Sequence, residues 1–281
     1  MILVDFNQIV ISNLFIQAKQ YADQVEIDLV RAMVLTSLKR YKNKFRKEFG
    51  ELVICVDGKD NWRKEIYPYY KENRKAAKEK STIDWNVVMS AVYIIAKELY
   101  FNFPYKVVSV DRAEADDAIA IIAKVAHEVE PVMIISGDKD LVQLQKYPRV
   151  YQYDPIRDRF LSTDNPARLL KEHILRGDVS DGVPNFQSDD DTFMNKAKRQ
   201  KPIRATKLEE WLDDPTFMVN NEYQKNIERN RIMIDLDNVP ADLEEKIRKQ
   251  FSRDPVGSRA KLMPYFAANR LSNLLECVGE F

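Results

Sequence analysis

The stretch V-D-R-A-E-A-D-D-A-I-A-I-I-A, residues 110–123, puts Glu114, Asp116 and Asp117 within four consecutive positions and follows them at once with an apolar run. Two readings fit. Acids gather in the first turn of a helix, where the positive end of its dipole welcomes them. Alternatively, like charges this close repel, and burial raises their pKa unless something positive compensates. A divalent cation is the usual compensation, because carboxylate oxygens are the ligands that Mg²⁺ and Mn²⁺ prefer.

The neighbouring stretches weigh on that choice. Ile2–Val4 is too short and too aliphatic for a helix and reads as a buried strand that ends on Asp5. Residues 8–20 and 27–49 are helix-like; in the second, Val30, Val34, Leu38, Tyr41, Phe45 and Phe49 recur at threes and fours before Gly50. Leu52–Val56 is a second strand, ending on Asp57. A helix over 84–101 precedes a third strand, Tyr105–Val110, which leads into the acid cluster. The run V-M-I-I-S makes a fourth strand, with Asp138 and Asp140 just beyond it and a short helix over 141–146. Val150–Tyr153 and Arg159–Leu161 read as edge strands or a small hairpin, and 165–176 as a helix with Pro166 at its first position. In R-G-D-V-S-D-G-V-P-N, Asp178 and Asp181 lie three apart among turn residues.

Strands alternating with helices predict an α/β fold with a mostly parallel central sheet and right-handed crossovers. In such sheets the ligand lies at the carboxyl ends of the strands. Four separate strands each deliver acid to that edge: Asp5, then Asp57, then Glu114 with Asp116, then Asp138 with Asp140. Aspartates favoured in turns would explain any one of them; a shared pocket explains all four. Such a pocket needs cations. The chain has only His127 and His173, and Cys55 and Cys277 lie far apart, so the expected cations are hard ones on oxygen ligands.

Residues 59–80 change character, with eight basic and four acidic side chains around Trp62, Tyr67, Tyr69 and Tyr70. The segment suits either a solvated helix with i,i+4 pairs or a strand-gripping surface of stacking rings and phosphate-pairing cations. A basic, aromatic segment beside a nest of acids points to a phosphodiester substrate, and paired ions to its hydrolysis.

Composition bounds the rest. The chain has 281 residues, 45% of them hydrophobic, enough for a core. Basic and acidic residues balance at 44 each, so any polyanion-binding surface is a local patch. No apolar run approaches the roughly 18 residues of a membrane span, and no signal peptide is legible at M-I-L-V-D-F. A reducing cytoplasm is the expected compartment. Past Asn185 the strand signal fades. Lys196–Lys207 holds six basic residues and no acidic one, and reads as exposed. Helical patterns return near 205–212, 219–230, 241–252 and 258–276, either continuous with the first part or loosely docked on it. The expected division is a nuclease-like domain over 1–185 and a helical region over 186–281.

V-D-F at Asp5, V-D-G at Asp57, W-R-K-E-I-Y-P-Y-Y-K-E-N-R, E-A-D-D, S-G-D-K-D and G-D-V-S-D-G-V-P-N occur in the order seen in the flap endonuclease / 5′-nuclease family, and over 1–185 the chain resembles that family. The resemblance implies a PIN-like α/β fold and a structure-specific 5′→3′ exonuclease, flap endonuclease and RNase H that removes RNA primers and adjacent DNA in lagging-strand replication. It implies two Mg²⁺ ions, with Mn²⁺ able to substitute. Glu114, Asp116, Asp138 and Asp140 would hold the first ion with Asp5 and Asp57 close by, and Asp117, Asp178 and Asp181 would belong to the second. Asp5, Asp57, Asp116, Lys71 and Arg74 would be catalytic. Arg63, Lys64, Tyr67, Tyr70, Lys71, Arg74 and Lys75 would grip the 5′ strand. The expected partners are 5′-flap or forked DNA and RNA–DNA duplex, and by family analogy a single-strand DNA-binding protein and a sliding clamp. A monomer is expected, in the host's cytoplasm where the gene is phage-borne.

One departure stands out. Where most of that family continues with a glycine-rich helix-hairpin-helix, this chain reads N-F-Q-S-D-D-D-T-F and keeps only Gly182. The basic residues Lys196, Lys198, Arg199 and Lys201 are the expected electrostatic replacement. Among rivals, a haloacid-dehalogenase phosphatase needs a second Asp two residues after Asp5, where Asn7 stands. A PIN-type ribonuclease is shorter and lacks the 59–80 segment, and a non-catalytic nucleic-acid scaffold would lack an acid.

Overall fold

The computed structural model describes residues 1–20, 26–79, 81, 83–220 and 222–281. Residue 80, the last of the basic aromatic segment, lies outside the described residues. The chain begins β1 (Ile2–Asp5), α1 (Phe6–Gln20), α2 (Ile27–Phe49), β2 (Leu52–Cys55), α3 (Trp62–Ile66), α4 (Asn73–Glu79) and α5 (Trp85–Asn102). It continues β3 (Lys106–Val108), α6 (Ala115–Ala126), β4 (Val132–Ile135), β5 (Val150–Asp154), β6 (Arg159–Leu161) and α7 (Pro166–Arg176). It closes with α8 (Ala205–Asp213), α9 (Gln224–Ile234), α10 (Ala241–Phe251), α11 (Arg259–Ala268) and α12 (Ser272–Leu275). Among the described residues no helix is long and apolar enough to cross a membrane.

The sheet runs β3-β2-β1-β4-β5-β6, parallel throughout except that β6 turns back on β5. This is the mostly parallel α/β architecture expected. Every residue of β1, β2 and β4 is buried, as aliphatic strands covered on both faces must be. Their period of two then sorts the side chains. Ile2 and Val4, Leu52 and Ile54, and Met133 and Ile135 join a core with α1, α2, α5 and α11. The alternate residues Leu3, Val53 and Ile134 are also buried, and α6 packs against the same three strands. By that alternation Asp5 falls on the face of Leu3. Register sets Asp5 level with Cys55 and Val4 level with Ile135, so Ser136 follows beside Asp5.

The contacts divide the chain into two compact units, both discontinuous in sequence. The first comprises Met1–Asp60, Thr82–Ser162 and Pro240–Phe281; the second comprises Asn61–Ser81 and Thr163–Val239. The division expected after residue 185 is not where the contacts part. The final helices belong to the sheet-bearing unit, in which Phe281 is fully buried and packs 5.7 Å from the Phe103 ring and 5.2 Å from the Phe266 ring. A loose dock is therefore excluded for that segment.

The second unit has its own core, in which Tyr67, Tyr70, Ile174, Leu175, Val183, Phe186 and Ile227 are buried together. The part of the 59–80 segment that belongs to it, from Asn61 on, is not one helix. Asn61 caps α3 by accepting the Arg63 N–H, and a turn through Pro68 separates α3 from α4. The helix expected over 141–146, in the first unit, is a tighter 3-10 helix, Asp140–Lys146.

Removing a buried phenylalanine costs about 3–5 kcal/mol. Phe281→Ala should therefore lower the urea unfolding free energy by about that amount, and a loss below about 1 kcal/mol would show that the terminal ring does not close the core.

Candidate metal centre

In the first unit the corner between β1 and β4 is where the strand order reverses, because β1 has β2 on one side and β4 on the other. Open parallel sheets bind ligands outside the carboxyl ends of their strands at this place. Asp5 ends β1 there. It is 8% exposed; one carboxylate oxygen accepts the Ser136 hydroxyl at 2.9 Å and the other accepts the Gln8 N–H at 3.1 Å. Ser136, fully buried at the end of β4, also accepts the Asp138 N–H at 3.1 Å, and Asp138 Oδ1 accepts the Asp140 N–H at 2.9 Å. The ends of β1 and β4 are thus tied through one hydroxyl.

The end of β2 is tied to the start of α6. Asp57 accepts the Ala115 N–H at 2.8 Å on one oxygen and the Asn7 amide at 2.8 Å on the other, while its own N–H donates to Asn7. Gly58 makes the approach possible: a Cβ there would lie 1.9 Å from the Val110 carbonyl oxygen, closer than any side chain tolerates. In α6 itself the helix-start reading of the opening stretch holds. Glu114 and Asp117 form a capping box, in which the buried Asp117 carboxylate accepts the Glu114 N–H at 2.9 Å. Asp116, between them, is half-buried.

The charges feel one another. Burial pushes the Asp5 carboxyl up to about 7, Asp57 adds to the push and Asp138 adds a little more, against the lowering hydrogen bonds from Gln8 and Ser136. Burial also raises the Cys55 thiol, and Asp5 and Asp116 raise it further, which puts Asp116 within reach of the same corner. Acids from all four predicted strand ends therefore share one edge of this unit. A set of crowded carboxylate oxygens, one of them raised by burial and by its neighbours, fits a hard divalent cation.

The second unit holds the basic residues. Lys71 and Arg74 both reach Asp181: the Lys71 ammonium is 3.3 Å from its carboxylate and the Arg74 guanidinium is hydrogen-bonded to it. The Tyr70 hydroxyl donates to Asp181 at 2.8 Å, and Arg74 also donates to the Ser180 carbonyl at 3.0 Å. Gly182, at φ 73°, turns the chain here, and a Cβ on it would lie 3.1 Å from the Tyr69 carbonyl oxygen. Asp178 is 3.7 Å from His173, a residue with no expected role. Burial works to raise the Asp178 carboxyl, but His173, Ser180 and the Asp181 N–H outweigh it and hold the group well below the usual range.

Other residues of the segment sit differently from expectation. Arg63 is 2% exposed, donates to the Met233 carbonyl at 3.0 Å and lies over the Trp62 ring. Tyr67 and Tyr70 are buried in the unit's core, with the Tyr67 hydroxyl on the Asp190 carbonyl at 2.6 Å. These three side chains hold the unit together; Tyr69, 38% exposed, is the ring that faces out. Lys64 and Lys75 both pair with Glu72, at 3.0 and 2.6 Å. Lys198 bridges Asp189 and Asp191 at 2.9 and 2.6 Å, whereas Lys196, Arg199 and Lys201 are exposed. Residues 187–204 form turns and irregular backbone, with no helix among them.

The sequence reading passed over the residues that aim the acids: Asn7, Gln8, Ser136 and Gln152. Gln152, fully buried, donates to the carbonyls of Ser136 and Asp138 at 2.9 and 2.6 Å. Its signal was there: an amide inside V-Y-Q-Y, in a strand whose other residues are buried except Tyr151.

Comparison with known proteins sets this geometry in context. A family model for the 5′-3′ exonuclease, N-terminal resolvase-like domain, matches residues 1–172, and one for the T4 RNase H C-terminal region matches 168–281. Ribonuclease H of Enterobacteria phage T4 is 29% identical, over 99% of this chain and 95% of its own. The flap endonuclease Xni of Shewanella oneidensis is 34% identical over 48% of this chain and 52% of its own. Among solved structures, the bacteriophage T5 flap endonuclease in a pseudo-enzyme–product complex with DNA and metal ions is similar at TM-score 0.63 and 16% identity, covering 88% of this chain and 96% of that one. The T5 5′-exonuclease with bound zinc is similar at TM-score 0.58 and 18% identity, covering 89% and 97%.

The raised Asp5 carboxyl has a sign that unfolding can read. Its folded pKa, about 7, lies above the unfolded value of 3.8, so the metal-free fold binds the extra proton and loses stability as pH climbs from about 4 to 7. The loss should be on the order of 3 kcal/mol. Urea unfolding in a chelator at pH 5 and pH 8 should show it in the wild type and not in Asp5→Asn; equal pH dependence in both would dismiss the raised Asp5 carboxyl.

Proposed function

The chain belongs to the 5′–3′ exonuclease family with a resolvase-like N-terminal domain, and from that premise we propose that it is a Mg²⁺-dependent, structure-specific 5′ nuclease that removes 5′ flaps and RNA primers in lagging-strand replication. The observation that carries the reading is the crowding of Asp5 by Asp57 and Asp138 at the corner where the strand order reverses. The carboxylate oxygens crowded at that edge favour hard cations, Mg²⁺ first and Mn²⁺ as its substitute. Asp5, Asp57, Glu114, Asp116, Asp138 and Asp140 would hold them, two in number. Bound there, such ions supply a nucleophilic water at neutral pH and offset the charge of the phosphate and of the leaving oxygen.

The chain's own residues prepare the site for that chemistry. Asn7 fixes Asp57, and Ser136 and Gln8 fix Asp5, so the ligand oxygens are aimed before any ion arrives. Asp117 acts by positioning, since its carboxylate anchors the first turn of α6. In the second unit Lys71 and Arg74 hold Asp181 and would exchange that carboxylate for a phosphate of the 5′ strand, the same acceptor geometry with more charge. Asp181 is then the counter-charge that holds this basic pair until substrate displaces it, while His173 holds the Asp178 carboxyl well below the usual range.

The names of the relatives, a ribonuclease H and a flap endonuclease, support both an RNA–DNA duplex and a flap as substrates. Matched 5′-labelled flap, nicked and RNA-primed duplexes should be cut with Mg²⁺ and left intact in a chelator. No cleavage of any of the three would overturn the proposal.

Two variants probe the division of labour. Loss of a group that merely supports a metal ligand costs about 10–100-fold, so Asp116→Asn should cut the turnover number by more than about 100-fold and leave the Kd for an uncleaved flap unchanged; equal loss of binding and turnover would remove Asp116 from the metal site. Lys71→Ala should weaken binding and reduce the slope of log Kd against log salt by about one, and an unchanged slope would take Lys71 off the phosphate.

A further inference from the structure

At the amino ends of β2 and β3, the edge of the sheet opposite the acids, the first unit buries two polar groups that the proposed chemistry does not use. Lys42, in α2, is fully buried, and its ammonium lies 5.1 Å from the ring centre of Tyr105, the residue before β3. The Tyr105 hydroxyl is buried and has no hydrogen-bond partner among the described residues. The Lys42 ammonium is 2.6 Å from the carboxylate of Glu51, the residue before β2, yet no hydrogen bond is aligned along that contact. Burying a hydroxyl and an ammonium without aligned acceptors is costly, so a fold that keeps both calls for a ligand.

More positive charge surrounds them. Arg46, one turn along α2 from Lys42, and Arg259, the first residue of α11, act on both Lys42 and the Tyr105 hydroxyl. Both arginines are exposed, and neither pairs with a carboxylate among the described residues. Burial pulls the Lys42 ammonium below its usual range, and the two arginines pull it further against the opposing Glu51. The first turn of α11 completes the pocket. At Gly257 the chain passes so close to Phe103 that a Cβ would lie 2.2 Å from its carbonyl oxygen, and the Phe103 and Tyr105 rings stack at 5.7 Å. The turn is tied down by Lys261, which donates to the carbonyls of Phe101 and Val256 at 3.1 and 3.2 Å. Ser258 caps α11 without a side-chain hydrogen bond, which leaves N–H groups at the helix start for an anion.

We propose that this pocket binds a terminal phosphoryl group, which takes the place of the Glu51 carboxylate among Lys42, Tyr105, Arg46, Arg259 and the start of α11. A phosphoryl group offers more charge and more acceptor oxygens than a carboxylate, and the donors here are more than one carboxylate can meet. The floor of the pocket, Lys42 and Tyr105, is sealed from solvent, so a phosphate that ends a molecule reaches it and an internal diester, flanked by sugars, does not. Inorganic phosphate and a nucleoside 5′-monophosphate share that chemistry. Either would join α2 to α11 across the end of the sheet. The site is independent of the nuclease reading.

The test is calorimetric titration of the full chain in chelator, with Lys71→Ala and Arg74→Ala present throughout to silence the other basic pair. Inorganic phosphate should bind one per chain. Glu51→Gln should tighten it about 2- to 5-fold by removing the resident competitor. Arg259→Gln, at an exposed position, should weaken it about 10- to 100-fold. Tyr105→Phe, which keeps the ring and removes only the orphaned hydroxyl, should weaken it about 2- to 10-fold. Neither substitution threatens folding, as Lys42→Met would. No binding of phosphate, or binding unmoved by both Arg259→Gln and Tyr105→Phe, overturns the site. Deoxyadenosine 5′-monophosphate separates the sources: affinity at least about 10-fold above that of phosphate makes the nucleotide the ligand, and equal affinity makes it free phosphate. A dinucleotide with only an internal diester should not bind, and affinity equal to that of phosphate would overturn the claim for a terminal group.

Discussion

Asp5 ends the central strand with Asp57 and Asp138 close by, and at neutral pH three carboxylates so placed repel one another. Almost everything else about the first unit follows from making that arrangement bearable. The chain ties each acid to neutral donors: Ser136 and the Gln8 N–H for Asp5, Asn7 and the Ala115 N–H for Asp57, the Asp140 N–H for Asp138. Neutral donors orient an oxygen without cancelling its charge. The corner is therefore rigid and still negative, which is what a cation-binding edge requires and what a merely stable turn would avoid.

The second unit solves the opposite problem. Lys71 and Arg74 lie close together, and Asp181 with its Tyr70 hydrogen bond keeps them from repelling one another. A carboxylate is a weaker version of the phosphate such a pair would grip, so an internal partner of this kind holds geometry without blocking exchange. Arg63, Tyr67 and Tyr70 are needed for the hydrophobic packing that supports the pair, which is why they face inward although the same sequence stretch carries the cations.

How far the residues announced this depends on what each reading rested upon. The strands and their acid ends were legible, because unbroken aliphatic runs of four or five residues have few alternatives and each stops at an aspartate or leads into one. The E-A-D-D stretch was half legible: spacing alone cannot tell the capping member, Asp117, from Asp116, the one proposed for the metal, since both belong to the first helical turn. The aromatic residues of 59–80 were misjudged for a plain reason. Composition says that rings and cations alternate, but only the turn at Pro68 decides which of Tyr67, Tyr69 and Tyr70 points out. The proposed phosphate pocket was not legible at all, because Tyr105 and Arg259 are over 150 residues apart in the chain and become neighbours only when α11 returns to the sheet-bearing unit.

That return has a consequence during synthesis. The strands that carry the acids emerge first from the ribosome, but the rings of Tyr265, Phe266 and Phe281 that complete their hydrophobic cover are made after the whole intervening unit. A nascent chain thus possesses every acid of the corner well before it can bury the core behind them. The last step of maturation is the docking of a late segment onto an early one, so the enzyme should gain its stability in a single closing event rather than strand by strand as translation proceeds.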